Sequence, residues 1–142
     1  AQATDYFHVQ LRYPRLRAIL HAGALVPGHG LRFAVHGTGG SWIKHGLDPQ
    51  EDALRGGALP AGADWGRDPS PGTLLQAQAD GNVRQAPSPS PHGDYPAYYA
   101  RLRDAINRGT PPPVAAGEAL QVMRVIEAGL LSDAQRREVA FD

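Results

Sequence analysis

From Asp5 to Tyr13 apolar and polar positions alternate. Phe7, Val9, Leu11 and Tyr13 fall on one side and Tyr6, His8, Gln10 and Arg12 on the other, the period of a half-buried strand. Pro14 closes the run. Arg17–Leu25 repeats it, with Leu16, Ala18 and Leu20 facing one way and Arg17, Ile19 and His21 the other. The short link between them predicts an antiparallel hairpin. After the loop Pro27-Gly28-His29-Gly30, a third strand is expected over Leu31–His36 with Leu31, Phe33 and Val35 inward.

The stretch His36–Gly57 carries the densest local signals. Gly37-Thr38-Gly39-Gly40 can supply the positive φ angles of a hairpin turn, and Ser41–His45, with Trp42 and Ile43, favours a strand. Asp48-Pro49-Gln50-Glu51 then opens a short helix: Asp48 as N-cap, Pro49 at the first helical position, Glu51 completing a capping box. Gly56-Gly57 ends it. Ala58–Pro71 has no period and reads as a long surface loop, with Trp65 packing down on the body. Thr73–Ala79 and Asn82–Ala86 flank Asp80-Gly81, a hairpin signal, and Pro87–Pro91 reads as an extended connector outside helix and sheet.

Two amphipathic helices follow. Asp94 caps the first, whose Tyr95, Tyr99, Leu102 and Ile106 share one face; Gly109 ends it. The second runs from Ala116 to about Ser132, with Ala119, Val122, Met123, Ile126 and Leu130 on one side. It lacks a Ser/Thr cap, which predicts a frayed first turn, although Glu118 suits the helix dipole there. Glu138–Phe141 is a candidate last edge strand. Strands joined by short turns, then helices, predict an α+β architecture: a mostly antiparallel (mixed) open sheet with helices packed on one face.

A chain of 142 residues suits one domain. Its 14 basic and 14 acidic residues cancel, which removes the electrostatic reason to bind nucleic acid or an anionic membrane. There is no cysteine, hence neither disulfide nor thiolate metal site, a usage that fits a cytoplasmic location. No apolar run approaches the ~20 residues of a membrane span, and no signal-peptide pattern opens the chain. Lys44 is the single lysine, and so the one side chain capable of amine chemistry.

Gly37 and Gly39 fit the start of GxGxxG, but Trp42 occupies its third glycine position and a strand, not a helix, is expected next. No helix N-terminus is offered to a pyrophosphate. A Walker loop is excluded by the missing lysine after Gly40. The six histidines, His8, His21, His29, His36, His45 and His92, form no HExxH and no i, i+4 pair. They read as scattered surface or interface residues, or as a zinc site assembled from separate strands; no metal site is expected. Lys44, His45 and Asp48 bracket a strand-to-helix turn beside Trp42. They fit a polyol or sugar, an aromatic platform with polar edges, or else a cap with two solvated neighbours. Tyr99 belongs to the apolar stripe of its helix and is expected in the core; Tyr98 lies beside that stripe, within reach of a pocket.

The segments FHVQLRYP at Phe7–Pro14, HGTGGSWIKHGLDPQEDAL at His36–Leu54 and GDYPAYYARLRDAI at Gly93–Ile106 resemble the C-terminal domain of Gfo/Idh/MocA-type oxidoreductases, nearest the NADP-dependent scyllo-inositol dehydrogenase group. The resemblance covers nearly the whole chain in order. It implies a parent enzyme that transfers hydride between NAD or NADP and a polyol or sugar carbon. It also implies an N-terminal Rossmann domain that holds the cofactor and carries a catalytic lysine in a Glu-Lys-Pro motif, with an Asp-x-x-x-His pair just before this segment begins. Neither motif occurs here. Residues 1–142 are therefore expected to be the substrate and oligomerisation domain of a longer dehydrogenase, with no catalytic residue of their own, binding no dinucleotide and inactive alone. Trp42, Lys44, His45, Asp48 and Tyr98 are the substrate-pocket candidates. The family pairs subunits through the open face of this sheet. Here Tyr6, His8, Gln10, Arg12, Arg17, Ile19 and His21 would form that face, giving a homodimer or larger assembly. The competing reading is a free-standing binding or assembly module without a parent enzyme.

Overall fold

The computed structural model describes residues 4–28 and 30–140; His29 and Phe141 of the expectations above lie outside them. The elements run β1 (Tyr6–Arg12), β2 (Arg17–Gly23), β3 (Leu31–Gly37), β4 (Gly40–His45), α1 (Pro49–Arg55), β5 (Gly72–Ala77), β6 (Val83–Ser88), α2 (Tyr95–Arg108) and α3 (Ala116–Gln135). The class is α+β, as the pattern predicts. The strands form two open antiparallel sheets rather than one: β1-β2, and β3-β4-β5-β6. The chain divides into two compact units, one comprising the segments up to Pro27 and from Ala105 on, the other Gly28–Asp104.

In the first unit, β1 and β2 pair from Tyr6↔Gly23 to Arg12↔Arg17, and the Tyr13 N–H bonds the Leu16 carbonyl at 3.0 Å to close the turn. Helix α3 turns Val125, Ala128, Gly129 and Ser132, at i, i+3, i+4 and i+7, to its less exposed side. A Cβ on Gly129 would sit 3.6 Å from Val9. The expected stripe of Val122, Met123, Ile126 and Leu130 is instead exposed. The physical reason is size: small side chains let a helix backbone approach a strand closely, so the inward face is the small one and not the most hydrophobic one. The α3 start is also better held than expected, because Glu118 accepts from the Ala115 N–H at 2.7 Å, half of a capping box without a side-chain cap. The expected edge strand at Glu138 does not form over the described residues 138–140; Glu138 pairs instead with Arg12 at 2.6 Å.

In the second unit, Thr38 and Gly39 make a two-residue hairpin loop between Gly37 and Gly40. None of these glycines takes a positive φ, contrary to expectation. Gly40 is required sterically instead, since a Cβ there would run into the Leu75 carbonyl oxygen of β5. The Asp80-Gly81 hairpin does use a positive φ, +83° at Gly81. Strand β6 extends through Pro87 and Ser88, which pair with Thr73 and Gly72. Proline is tolerated because β6 ends the sheet, where a missing donor costs no ladder bond.

Helix α1 starts and stops as its sequence dictates. Asp48 accepts from the Gln50 N–H at 3.0 Å. Glu51 turns forward to Arg55 at 3.0 Å, an i, i+4 pair in place of the expected box. At the end, Gly57 adopts φ +83°, and the Gly57 and Ala58 N–H groups bond the carbonyls of Leu54 and Ala53, a Schellman closure. On α2, Asp94 accepts from the Ala97 N–H at 3.1 Å. Tyr99, expected in the core, is 70% exposed.

Candidate functional site

Alternation along β3 and β4 decides which side chains meet. The register sets Phe33 opposite Lys44 and Val35 opposite Trp42, so these four share one face of the sheet. Leu31, Phe33 and Val35, expected to point inward, are exposed; Phe33 stacks on Trp42 with ring centroids 6.2 Å apart and planes 29° apart. The Trp42 indole lies across β5 at Gly72, where a Cβ would stand 2.6 Å from its Nε1. Arg32 places its guanidinium carbon 5.5 Å from the Phe33 ring centre.

These rings wall an open recess of about 160 Å³, completed by Lys44, Asp48, Asp68, Gly66 and Gly93. Lys44 is 4% exposed. Its ammonium meets Asp68 at 2.9 Å and donates to the His45 carbonyl. The ammonium of Lys44 and the Ser70 N–H hold the Asp68 carboxyl below its ordinary range. Lys44 is thus buried in the recess lining with its Nζ engaged by Asp68 and the His45 carbonyl. Sequence reasoning missed Asp68, which sits in a loop without period.

It also missed Gln50, which is 1% exposed. The Gln50 Nε2 donates to both Asp48 oxygens, at 3.1 and 3.2 Å, and its Oε1 accepts from the Trp65 indole at 2.7 Å and the Tyr95 N–H at 3.0 Å. Trp65 thus packs down as expected, through a polar contact. Gly93 lies against this amide: a Cβ there would stand 2.7 Å from the Asp48 carboxylate. Gly66, at φ +70°, leaves room for the Gly93 carbonyl, and the Gly93 N–H bonds the Gly66 carbonyl at 2.9 Å.

Of the pocket candidates, Trp42, Lys44 and Asp48 come together. His45 does not, because the strand turns it to the opposite side from Lys44; it is exposed, beside Gly30. Nor does Tyr98 line the recess; it packs edge-on against Tyr99 at 5.5 Å. The seven interface candidates do share one face of the β1-β2 sheet, since His8 pairs with His21, Gln10 with Ile19 and Arg12 with Arg17. Tyr6 and His8 lie against His21, with ring centroids 5.3 and 5.7 Å apart. His36 is bonded to Ser41 at 2.8 Å. The glycine turn leads into β4 and not into a helix, so it does not fit a dinucleotide pyrophosphate. Among the described residues no helix is long and apolar enough to cross a membrane.

Comparison with known proteins shows the family of the chain. The family model for the C-terminal alpha/beta domain of the oxidoreductase family GFO_IDH_MocA matches residues 1–141. The uncharacterized oxidoreductase YdgJ of Escherichia coli is 45% identical over 96% of this chain and 39% of its own length. The scyllo-inositol 2-dehydrogenase (NADP(+)) IolW of Bacillus subtilis is 38% identical over 100% of this chain and 40% of its own length. Among solved structures, yvaA of Bacillus subtilis superposes with a TM-score of 0.92 at 39% identity, covering all of this chain and 42% of that one. The chain spans about two fifths of the length of the curated relatives it matches.

Proposed function

This chain belongs to the Gfo/Idh/MocA oxidoreductase family as a C-terminal alpha/beta domain, and on that premise we propose that it builds the substrate pocket and subunit contact of an NAD(P)-dependent dehydrogenase acting on a polyol or sugar such as an inositol. The observation that carries the reading is the recess: a stacked Phe33–Trp42 wall facing the Asp48 carboxylate and the Lys44–Asp68 pair. An apolar ring face with oppositely charged polar groups at its edge matches a polyhydroxylated ring, whose C–H face stacks on aromatics while its hydroxyls bond the rim. The kinship with IolW, a scyllo-inositol dehydrogenase by name, supports the same substrate class. The reading assigns dinucleotide binding and hydride transfer to a separate N-terminal domain, and assembly to the Tyr6/His8/Gln10/Arg12/Arg17/Ile19/His21 face.

Two measurements test this. Titration of the chain with NADH and NADPH, by fluorescence or calorimetry, is expected to show no binding; a micromolar dissociation constant would overturn the division of labour. In the full-length protein, oxidation of inositols and sugars is expected to depend on Trp42, with Trp42→Ala lowering kcat/KM by about tenfold or more, as loss of a stacking wall does. Unchanged kinetics would remove the recess from the substrate path.

A further inference from the structure

We infer that Gln50, which is not itself among the recess-lining side chains, is the positioning residue that sets the recess for its ligand; the inference rests on the recess being the polyol or sugar site proposed above. A glutamine in the first turn of a seven-residue surface helix ordinarily stays in water. This one is 1% exposed, and its amide is engaged on both ends. The orientation of the amide follows from its partners. Trp65 Nε1 and the Tyr95 N–H are donors and require the oxygen; Asp48 is an acceptor and requires the nitrogen. A flipped amide would set donors against donors and an oxygen against a carboxylate.

Each partner belongs to a different piece of the recess wall. Asp48 lines it directly. Gly66 follows Trp65 in the chain, and Gly93 lies two residues before Tyr95 and against the amide itself. One side chain therefore ties three separate segments, the α1 cap, the loop and the α2 entry, opposite the Phe33–Trp42 wall carried by the sheet. The width of the slot between rings and polar edge is fixed by that tie. Asparagine is one methylene too short to span it, and leucine of similar bulk carries none of the four bonds.

Glutamate makes the sharpest probe. Gln50→Glu keeps an oxygen for Trp65 and Tyr95, but sets its other oxygen against the Asp48 carboxylate. Among the described residues Asp48 is the one titratable side chain in hydrogen-bonding contact with residue 50; Lys44, Asp68 and Arg32 also line the recess. Two carboxyl groups in contact share a proton at low pH and repel once both ionise. In the full-length protein, KM and kcat for scyllo-inositol, or the polyol turned over fastest, are measured across the pH range. Gln50→Glu is expected to match the parent KM near pH 5.5 and to exceed it by about tenfold near pH 8, with kcat less affected, because a displaced wall weakens ligand positioning. Gln50→Leu is expected to raise KM by about tenfold at every pH. A Gln50→Glu KM that tracks the parent across the range would overturn the proposal, as would a folded Gln50→Leu with lowered Tm and unchanged KM. A parent protein that turns over no polyol or sugar would instead overturn the substrate reading. In that case the indole N–H signals of Trp42 in the 142-residue chain still decide the role of Gln50: they move with pH in Gln50→Glu if Gln50 sets the wall, and stay fixed if it does not.

Discussion

Lys44 and Asp68 show how a residue's role is decided by its partners. Strand alternation already puts Lys44 on the side of Trp42 and turns His45 away, so that much of the site was legible. The fate of the ammonium was not, because Asp68 comes from a loop more than 20 residues downstream where no period links the two. Gln50 is the same case: nothing in a first-turn glutamine signals burial, and its partners Trp65 and Tyr95 are long-range. The Lys44–Asp68 pair also has a pH signature. The folded carboxyl of Asp68 lies below the ordinary value of 3.8, chiefly because it accepts from the Lys44 ammonium. A carboxyl lowered on folding contributes stability in full above the unfolded value and loses it as pH falls through the folded one. Asp68→Asn is therefore expected to be less stable than the parent at neutral pH, where it leaves a buried lysine without its counter-ion, and to converge with it below about pH 4. Thermal melts from neutral to acid pH check this; a constant gap between the two chains would assign the loss to packing.

At the scale of elements, the Asp48 cap and the Gly56-Gly57 stop of helix α1 are legible, since caps and glycines are local signals, whereas Glu51 pairs with Arg55 and closes no capping box. The cap is worth more than an ordinary one, because the Asp48 carboxylate also satisfies the buried Gln50 amide. Removing it costs about 1 kcal/mol for the cap and roughly 1–3 kcal/mol for stranded buried donors. Asp48→Ala is thus expected to lose roughly 2–4 kcal/mol in urea melts, and a loss near 1 kcal/mol would mean that Gln50 finds water or another acceptor. The elements that departed from expectation did so for packing reasons. The inward face of α3 was hidden because hydrophobicity favours Val122, Met123, Ile126 and Leu130, whereas close approach to β1 favours Ala128 and Gly129. The extension of β6 through Pro87 was hidden because only its position at the end of the sheet makes proline harmless there.

For the molecule as a whole, the class and order of elements were legible and the division into two sheets was not, since pairing partners are set by tertiary contacts that a period of two does not encode. The open face of β1-β2 bears on assembly. It sets Tyr6, His8, Gln10, Arg12, Arg17, Ile19 and His21 side by side, with Tyr6 56% and Ile19 59% exposed. Tyrosine and arginine without lysine or glutamate is the composition of protein interfaces. The chain is expected to form at least a dimer through this face, and Ile19→Glu to weaken it by burying an unpaired charge. Size exclusion with light scattering reads the mass; a monomeric parent, or an Ile19→Glu chain of unchanged mass, would discard this contact.

The loop between α1 and β5 is held from Trp65 to Asp68, by Trp65 on Gln50, Gly66 on Gly93 and Asp68 on Lys44, while Leu59, 82% exposed, stands outside that span. Length variation should therefore be sharply uneven along it. Extra residues beside Pro60 lengthen a closure already made, and doubling such a loop costs only about 0.6 kcal/mol. A single residue added between Trp65 and Asp68 shifts one anchor out of register with the other. Insertions and deletions inherited along this lineage are expected to gather before Gly62 and to spare the four-residue span from Trp65 to Asp68.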